Sequence, residues 1–432
     1  MKTVLKIIAI LLIIGMSVGL LSCSAAFGSM LGDGAHVEFS PIAPDDAEPD
    51  DEATEDGEEQ EENKVVLPSG MITAGALNDN DNYEMWISLF SQADKENDLE
   101  EGKFFVYSAD KGWGFNSLKR VKVNVTFEGS PVAGATVVAY DEDENATFSA
   151  VSDAQGNAYL FVRDDNGTVV VESGEASASA VFDRESRELS VALDGCEEKL
   201  NVIEIMFVLD VTGSMGDEIS FLKAELTDVI NKIAANDEST VIKLAFLFYR
   251  DLDDKVPFDY DEFMDVTDSV GMALRQAELD KQYASGGGDY EEAVDEALER
   301  AVNAQWSTGA TTKLIFHVLD APAHSGKQYE ERFNAAVMTA AEKGIRICPV
   351  LCSGAAEITE YTMRQAAIYT GGTFIFVTDD SGIGEAHHDP NLPNVTVELL
   401  NSMLVRLVKG YHTGEFDDPI FWKDDPALAT QD

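Results

Sequence analysis

The chain has 432 residues, 45% of them hydrophobic, and a formal net charge of −50. This length predicts two or three domains, and the apolar content is that of a folded protein. Twelve acidic residues and no Lys or Arg fall between Asp45 and Glu62, which leaves about −38 for the rest of the chain. Such a charge argues against binding to nucleic acid or bare anionic lipid and favours divalent cations or basic partners. A salt-rich habitat would account for the acidity equally well.

The first residues have the pattern of a secretory signal. Lys2 and Lys6 are followed by 15 uncharged, mostly apolar residues, 7–21. That run is shorter than the roughly 20 residues of a membrane span and fits a signal peptide. It ends in Leu20-Leu21-Ser22-Cys23, which resembles the lipobox of bacterial lipoproteins. The resemblance implies removal of residues 1–22, acylation of Cys23 and an outward-facing, lipid-anchored protein in the cell envelope. An ordinary cleaved signal with an incidental cysteine is the alternative.

Two segments of different character follow the signal. Residues 23–64 are small, acidic and without apolar periodicity, which predicts a disordered tether that repels itself. Residues 65–118 are mixed in composition and include a predicted helix at 82–92. Their pattern predicts no particular fold, and we expect this segment to pack against the domains that follow.

Residues 119–200 alternate between apolar and polar side chains, as half-buried strands do. Val121, Val123, Val125 and Phe127 mark the first strand, and Gly, Asn and Asp turns separate several short strands. This pattern predicts a small β-sandwich. Its Pro-Val-Ala-Gly-Ala and Asp-Ala-Gln-Gly sequences are similar to carboxypeptidase-regulatory-like and bacterial Ig-like modules. We expect a spacer more than a ligand-binding module.

Residues 201–412 alternate between buried strands and amphipathic helices. The predicted strands are 203–209, 241–249, 313–319, 345–351 and 373–377, and the predicted helices include 291–304, 330–343, 359–369 and 395–409. Continuously apolar strands separated by helices are typical of an α/β doubly wound, Rossmann-like sheet. Ligands bind such sheets at the carboxyl ends of the strands. Residues 413–432 form a C-terminal tail. The whole chain is therefore predicted to be multidomain.

The first of these strand ends carries three oxygen-bearing side chains. Asp210, Thr212 and Ser214 alternate along a strand-to-helix turn, an arrangement that suits a hard cation such as Mg²⁺. The related Asp-Thr-Gly-Ser motif of aspartic proteases does not fit, because Val211 separates Asp210 from Thr212 and no second copy is present.

Two further segments place acidic residues at the same edge of the sheet. Asp289 and Glu292 lie in a glycine-rich loop that opens a helix, and Asp320 follows the strand 313–319. Together with the first loop they resemble the metal-ion-dependent adhesion site (MIDAS) of von Willebrand factor A (VWA) domains, over residues 201–412.

That resemblance implies a ligand set. Asp210, Thr212 and Ser214 would be the first-loop ligands, and Asp320 the later acidic ligand. Asp289 stands where many members have Thr, while Glu292 matches a Glu of integrin β-subunits, so the middle-loop ligand is open, with a slight preference for Asp289.

A second metal site is a weaker implication of the same resemblance. Asp217 and Glu218 match an adjacent calcium site of integrin β-subunits. A role at the positive end of a helix is the stronger explanation for that pair.

The remaining cysteines and histidines indicate no further site. Cys348 and Cys352 lie on one predicted strand, roughly 13 Å apart, which is too far for a disulfide bond, so we expect buried thiols. His317 and His324 have no metal-ligand spacing, and we expect them to be structural or exposed.

These patterns predict a non-enzymatic surface lipoprotein that binds proteins through a divalent metal. Mg²⁺ is the expected ion, with Mn²⁺ or Ca²⁺ as alternatives, and the expected partner is a protein that presents a carboxylate. The chain has no hydrolase, Walker or dinucleotide-binding motif. The alternative function is a scaffold subunit of an envelope assembly or secretion complex with a degenerate or structural metal site.

Overall fold

The computed structural model describes residues 72–91, 102–107, 113–236, 239–378 and 395–430. The predicted signal peptide, Cys23 and the acidic tether lie outside these residues. Within the described part, no helix combines the length and the apolar character that a membrane span requires.

A β-rich region precedes the α/β domain. It contains eight strands: β2 (Arg120–Phe127), β3 (Ser130–Pro131), β4 (Thr136–Tyr140), β5 (Ala146–Val151), β6 (Asn157–Phe161), β7 (Gly167–Ser173), β8 (Ala176–Phe182) and β9 (Glu188–Leu193). One sheet has β2 between β6 and β9, with β3 also on β2, and the other has the order β5-β4-β7-β8. Val121, Val123 and Val125 of β2 are fully buried and share one apolar cluster with Val137 and Val169 of the second sheet. The period-two pattern therefore places one face of each sheet in a common core.

The α/β domain is built on an eight-stranded sheet. Its strands are β1 (Thr73–Leu77), β10 (Val202–Asp210), β11 (Val241–Tyr249), β12 (Phe258–Asp265), β13 (Thr312–Leu319), β14 (Ile345–Leu351), β15 (Phe374–Val377) and β16 (Glu398–Leu399). Their order is β12-β11-β10-β13-β14-β15-β1-β16. The five central strands from β11 to β15 are parallel, whereas β12 and β1 run antiparallel to their neighbours.

Helices cover both faces of this sheet. The helices are α1 (Tyr83–Ser88), α2 (Gly216–Asn236), α3 (Ser269–Lys281), α4 (Val294–Val302), α5 (Lys327–Glu342), α6 (Glu357–Thr370) and α7 (Leu400–Thr413). Ile205 and Phe207 of β10 share a buried cluster with α2, α3 and α7. Met206 and Val208 point the other way, into the cluster formed by α4, α5 and α6. Both faces of β10 are thus buried, as in a doubly wound sheet. Together with the β-rich region, this confirms the predicted multidomain fold.

The segment before the β-rich region completes the sheet of the α/β domain. β1 pairs with β15, with Ala74 opposite Val377 and Gly75 opposite Phe376. A side chain at Gly75 would lie 2.3 Å from the Phe376 ring, so the residue at this position has to be glycine. Two hydrogen bonds, of 2.6 and 3.0 Å, join the buried Arg364 of α6 to Asp79, which follows β1. A segment with no predicted fold is therefore an integral strand of the domain.

The β-rich region lies against the edge of the main sheet at which the parallel strands begin. A side chain at Gly134 would meet the Ala310 Cβ atom at 2.3 Å, and one at Gly344 would meet Val151 at 2.9 Å. This packing leaves the opposite edge, where the parallel strands end, free of the β-rich region. Cys348 on β14 and Cys352, directly after it, are buried and form no disulfide bond, as expected.

Candidate metal site

Two acidic residues stand at the carboxyl edge of the central strands. Asp210 is the last residue of β10, and Asp320 directly follows β13, the parallel neighbour of β10. Both are buried, with 0% and 5% of their surfaces exposed. Because adjacent parallel strands end at the same edge, the two carboxyl groups face one region of space.

The first loop is shaped by the Asp210 carboxylate. Its Oδ1 atom accepts hydrogen bonds from the backbone N–H and the hydroxyl of Thr212, at 2.9 and 2.7 Å. The Thr212 hydroxyl also lies 3.4 Å from the hydroxyl of Ser214, which is on the exposed side of the loop. Asp210 Oδ2 accepts no hydrogen bond of normal length from the described residues. One carboxylate oxygen thus fixes the loop, while the other remains available to a ligand.

The glycine-rich loop crosses directly over this first loop. The backbone oxygen of Gly286 accepts a hydrogen bond from Gly213 N–H at 3.3 Å. Gly287 has φ +73°, and a side chain there would lie 2.7 Å from Glu292 Oε1 and 3.4 Å from Thr212 Cβ. Glycine is required at this position because both the backbone conformation and the close approach exclude a side chain. The loop therefore brings Thr212 and Glu292 to the same place.

Glu292 is held beside Asp320. Its backbone N–H donates to Pro322 O at 3.0 Å, and it forms an isolated parallel bridge with Ala323. The residue is only 4% exposed, and its Oε2 atom has no hydrogen-bond partner in the described part of the chain. The first loop, the glycine-rich loop and the segment after β13 thus approach one another at the carboxyl edge of the sheet.

Acidic side chains accumulate at this point. Burial raises the pKa of Asp210 to about 7, and the charge of Asp320 adds to the shift. Burial also raises the pKa of Glu292 to about 9, followed by repulsion from Asp210, Asp251 and Asp320. Neither Asp210 nor Glu292 forms an ion pair with Lys or Arg in the described residues. Buried carboxylates without a cationic partner are costly, and a divalent cation with oxygen ligands would remove that cost.

Asp289, the other middle-loop candidate, belongs to a separate group. One ligand atom each from Asp289, Asp251 and His324 lies within 4.8 Å of the others. His324 Nε2 is 3.3 Å from Asp251 Oδ1. Asp289 is exposed, in contrast to Glu292. The two groups interact electrostatically, because both Asp210 and Asp251 raise the pKa of Glu292.

Sequence reasoning did not select Asp251 or treat His324 as part of a site. A signal was available, because Asp251 follows β11 and His324 follows β13, both at the carboxyl edge. The histidine spacing along the chain did not reveal it, since the two residues come from different strand ends. By contrast, His317 is fully buried and contacts the Tyr249 hydroxyl at 3.2 Å, in keeping with a structural role.

The residues of the weaker, adjacent site occupy the first turn of α2. Asp217 and Glu218 directly follow Gly216 in that helix. Their side chains lie outside the part of the structure that is described, so this prediction stays as it was.

Comparison with known proteins agrees with this fold. Residues 204–379 match the family model of the von Willebrand factor A domain. No curated protein matches the chain.

Three of the solved structures that the chain matches are bacterial proteins. The protein BatB from Bacteroides thetaiotaomicron is 16% identical, with 40% of this chain and 90% of that chain covered and a TM-score of 0.31. An aerotolerance-related membrane protein from Bacteroides fragilis is 16% identical, with coverages of 42% and 94% and a TM-score of 0.29. The pilus adhesin SpaC from Lactobacillus rhamnosus is 8% identical, with coverages of 55% and 33% and a TM-score of 0.32. The family match and the topology together identify residues 204–379 as a von Willebrand factor A domain that follows a β-rich region.

Proposed function

We propose that this protein is a non-enzymatic binding protein that engages protein partners through a divalent metal at the carboxyl edge of its VWA domain. The observation that carries the proposal is the group of buried carboxylates at the end of β10, in which Asp210 and Glu292 lack a basic partner. Mg²⁺ is the proposed ion, because the donors are hydroxyl and carboxylate oxygens.

The residues of the first loop and of Glu292 would hold the cation. Thr212 and Ser214 supply hydroxyl oxygens, while Asp210, Glu292 and Asp320 supply negative charge. When bound, the cation would neutralise these carboxylates and offer a coordination position to a carboxylate of the partner. The hydrogen bonds from Thr212 to Asp210 hold the loop in shape before any ion arrives. In a chain of charge −50, a partner carboxylate would otherwise be repelled.

The rim of the site has side chains that suit a protein interface. Tyr290 is 48% exposed, and its hydroxyl is fixed by bonds to Gly354 O at 3.0 Å and from Ala356 N–H at 2.8 Å. Tyr283 is 68% exposed, with the Arg250 guanidinium 6.0 Å from its ring centre. Tyrosine and arginine are enriched among the residues that dominate binding energy at interfaces. These residues would give the partner apolar and cationic contacts beside the metal.

The location proposed for this activity is the cell envelope. Acylation at Cys23 would anchor the chain, and the acidic tether of residues 23–64 would hold the folded part away from the membrane.

Calorimetric titration tests the metal site. Mg²⁺, Mn²⁺ and Ca²⁺ are titrated into the chelator-stripped full chain and into Asp210→Ala, with Asp253→Ala as a control at an exposed acid of the next loop. We expect one saturable site in the wild type and the control, and none in Asp210→Ala. A fragment that starts at residue 201 would be unsuitable, because it lacks strand β1.

Two results would contradict the proposal. Unchanged metal affinity in Asp210→Ala would place the ion elsewhere. Absence of saturable binding in the wild type would favour the alternative of a metal-independent scaffold subunit in an envelope assembly.

A further inference from the structure

A polar cavity lies at the opposite edge of the main sheet, between the VWA domain and the β-rich region. Its volume is about 270 Å³, room for roughly nine water molecules at about 30 Å³ each. The starts of β13 and β14 line it on one side, and residues near the ends of β3 and β5 line the other. It is therefore separate from the metal site, which lies where these strands end.

Four cationic side chains line this cavity, and one of them, Lys343, donates to Val302 O and Asn303 Oδ1 at 2.8 and 3.1 Å. The other three are Lys199, Lys313 and Arg346. Lys313 and Arg346 are the second residues of strands β13 and β14, and each is 8% exposed. Lys199 lies in the segment before β10. None of the three has a carboxylate within 4 Å in the described part of the chain. This is unexpected, because the 80 acidic residues of the chain outnumber its 30 basic residues and could supply a carboxylate for most buried cations.

The hydrogen bonds that these cations make leave donors available. Arg346 has five N–H donors and makes one weak hydrogen bond of 3.4 Å, to Gly344 O, within the described residues, while its guanidinium lies 5.8 Å from the centre of the Tyr411 ring. Lys313 Nζ donates to Lys343 O at 3.3 Å. Lys199 Nζ donates to the backbone oxygen of His412. Each cation is thus oriented by a carbonyl group but not neutralised.

The three charges also act on one another. Burial lowers the pKa of Lys199 to about 8, and the positive charge of Arg346 lowers it further. Burial lowers the pKa of Lys313 as well, against the attraction of Glu204, and Lys343 and Arg346 add to the decrease. Like charges that are gathered in a partly buried space destabilise the fold unless an anion is present.

The acids at the cavity do not supply that anion. Asp153 interacts electrostatically with Arg346. Its Oδ1 atom, however, already accepts hydrogen bonds from the backbone N–H groups of Gln155 and Asn157, at 2.9 and 2.8 Å. Glu197, at the exposed rim, forms no ion pair with the cations. The four cations, Asp153 and Glu197 together leave a balance of about +2 at the cavity.

We propose that this cavity binds a small oxyanion of two negative charges, such as inorganic phosphate or sulfate. The planar guanidinium of Arg346 provides the paired donors that an oxyanion requires, and Lys199 and Lys313 provide point charges. The bound anion would link the segment before β10 to β13 and β14, in a cavity that residues of the β-rich region line on the other side. The proposal is independent of the metal site.

Calorimetric titration of the full chain with sodium phosphate and with sodium sulfate, at low ionic strength, tests this proposal. We expect saturable binding of one anion, and a rise in the unfolding temperature with each salt that sodium chloride does not reproduce. Non-specific binding of anions to a chain of charge −50 is disfavoured, so saturation is diagnostic.

Variants distinguish the cavity from the rest of the surface. Lys199→Met and Arg346→Met should each weaken anion binding by about tenfold or more. Lys327→Met, at a side chain that is 86% exposed, should leave it unchanged. Lys199→Met tests the proposal even if the more buried Arg346 variant does not fold. Absence of saturable binding in the wild type, or full affinity in Lys199→Met, would overturn the proposal.

Discussion

Replacing Glu292 by glutamine should change the stability and the metal affinity of the protein in opposite directions. Glu292 is 4% exposed and lies against Asp210 and Asp320, and its pKa is raised from 4.5 to about 9. Without metal, the folded protein therefore holds a proton on Glu292 at pH 7 that the unfolded chain releases. Over the interval between pH 4.5 and pH 7 this costs about 3 kcal/mol of stability, at about 1.4 kcal/mol per pH unit.

Glutamine has the same shape and no charge, so Glu292→Gln avoids this cost. In a chelating buffer at pH 7 the variant should be more stable by about 3 kcal/mol, or about 5 °C in unfolding temperature. The sign follows from proton binding: the folded wild type binds more protons than the unfolded chain between pH 4.5 and 9, so its stability falls as the pH rises through that interval. The difference between the two proteins should therefore vanish near pH 4.5.

Addition of Mg²⁺ should remove most of this difference. A ligand at a hundred times its dissociation constant stabilises the folded state by about 2.7 kcal/mol, and the variant should lose most of that gain. Differential scanning calorimetry in chelator and in excess Mg²⁺ measures both effects, with Asp253→Asn as the exposed control. A variant that is less stable than the wild type in chelator, or that gains as much from Mg²⁺, would refute the reasoning.

Two further predictions concern the core. Arg364→Met removes the cation that pairs with the buried Asp79 and one of the cations beside Glu360, which keeps Lys103. It should lower the free energy of unfolding by about 3–5 kcal/mol in urea titrations, and a loss below about 1 kcal/mol would show that the network is not needed. Burial lowers the pKa of His317 from 6.5 to about 3, so the unfolded chain gains a proton below pH 6.5 that the folded chain rejects. The wild type should therefore lose about 3 kcal/mol more than His317→Leu between pH 6.5 and pH 4, and parallel pH profiles of the two proteins would contradict this.

The parallel strands of the VWA domain could be predicted closely from the sequence. Val241–Tyr249 and Ile345–Leu351 have the predicted bounds, because a strand that is buried on both faces must be apolar throughout. The antiparallel edge strand Phe258–Asp265 was not predicted. Its residues are mostly half-buried or exposed and include four Asp and Glu side chains, so no hydrophobic pattern marks it.

The sequence by itself determined the order of the strands along the chain, the acidic strand ends and the oxygen-rich first loop, because local periodicity and turn residues encode them. Only the tertiary structure decided that Thr73–Leu77 joins the sheet, since its partner strand lies about 300 residues away. It also decided that Glu292 is buried and close to Thr212, whereas Asp289 is exposed and close to Asp251 and His324. That difference depends on how the Gly287 turn crosses the first loop, which spacing along the chain does not specify. The cationic cavity has the same origin, because its positive charges come from separate segments that meet only after the β-rich region packs against the sheet.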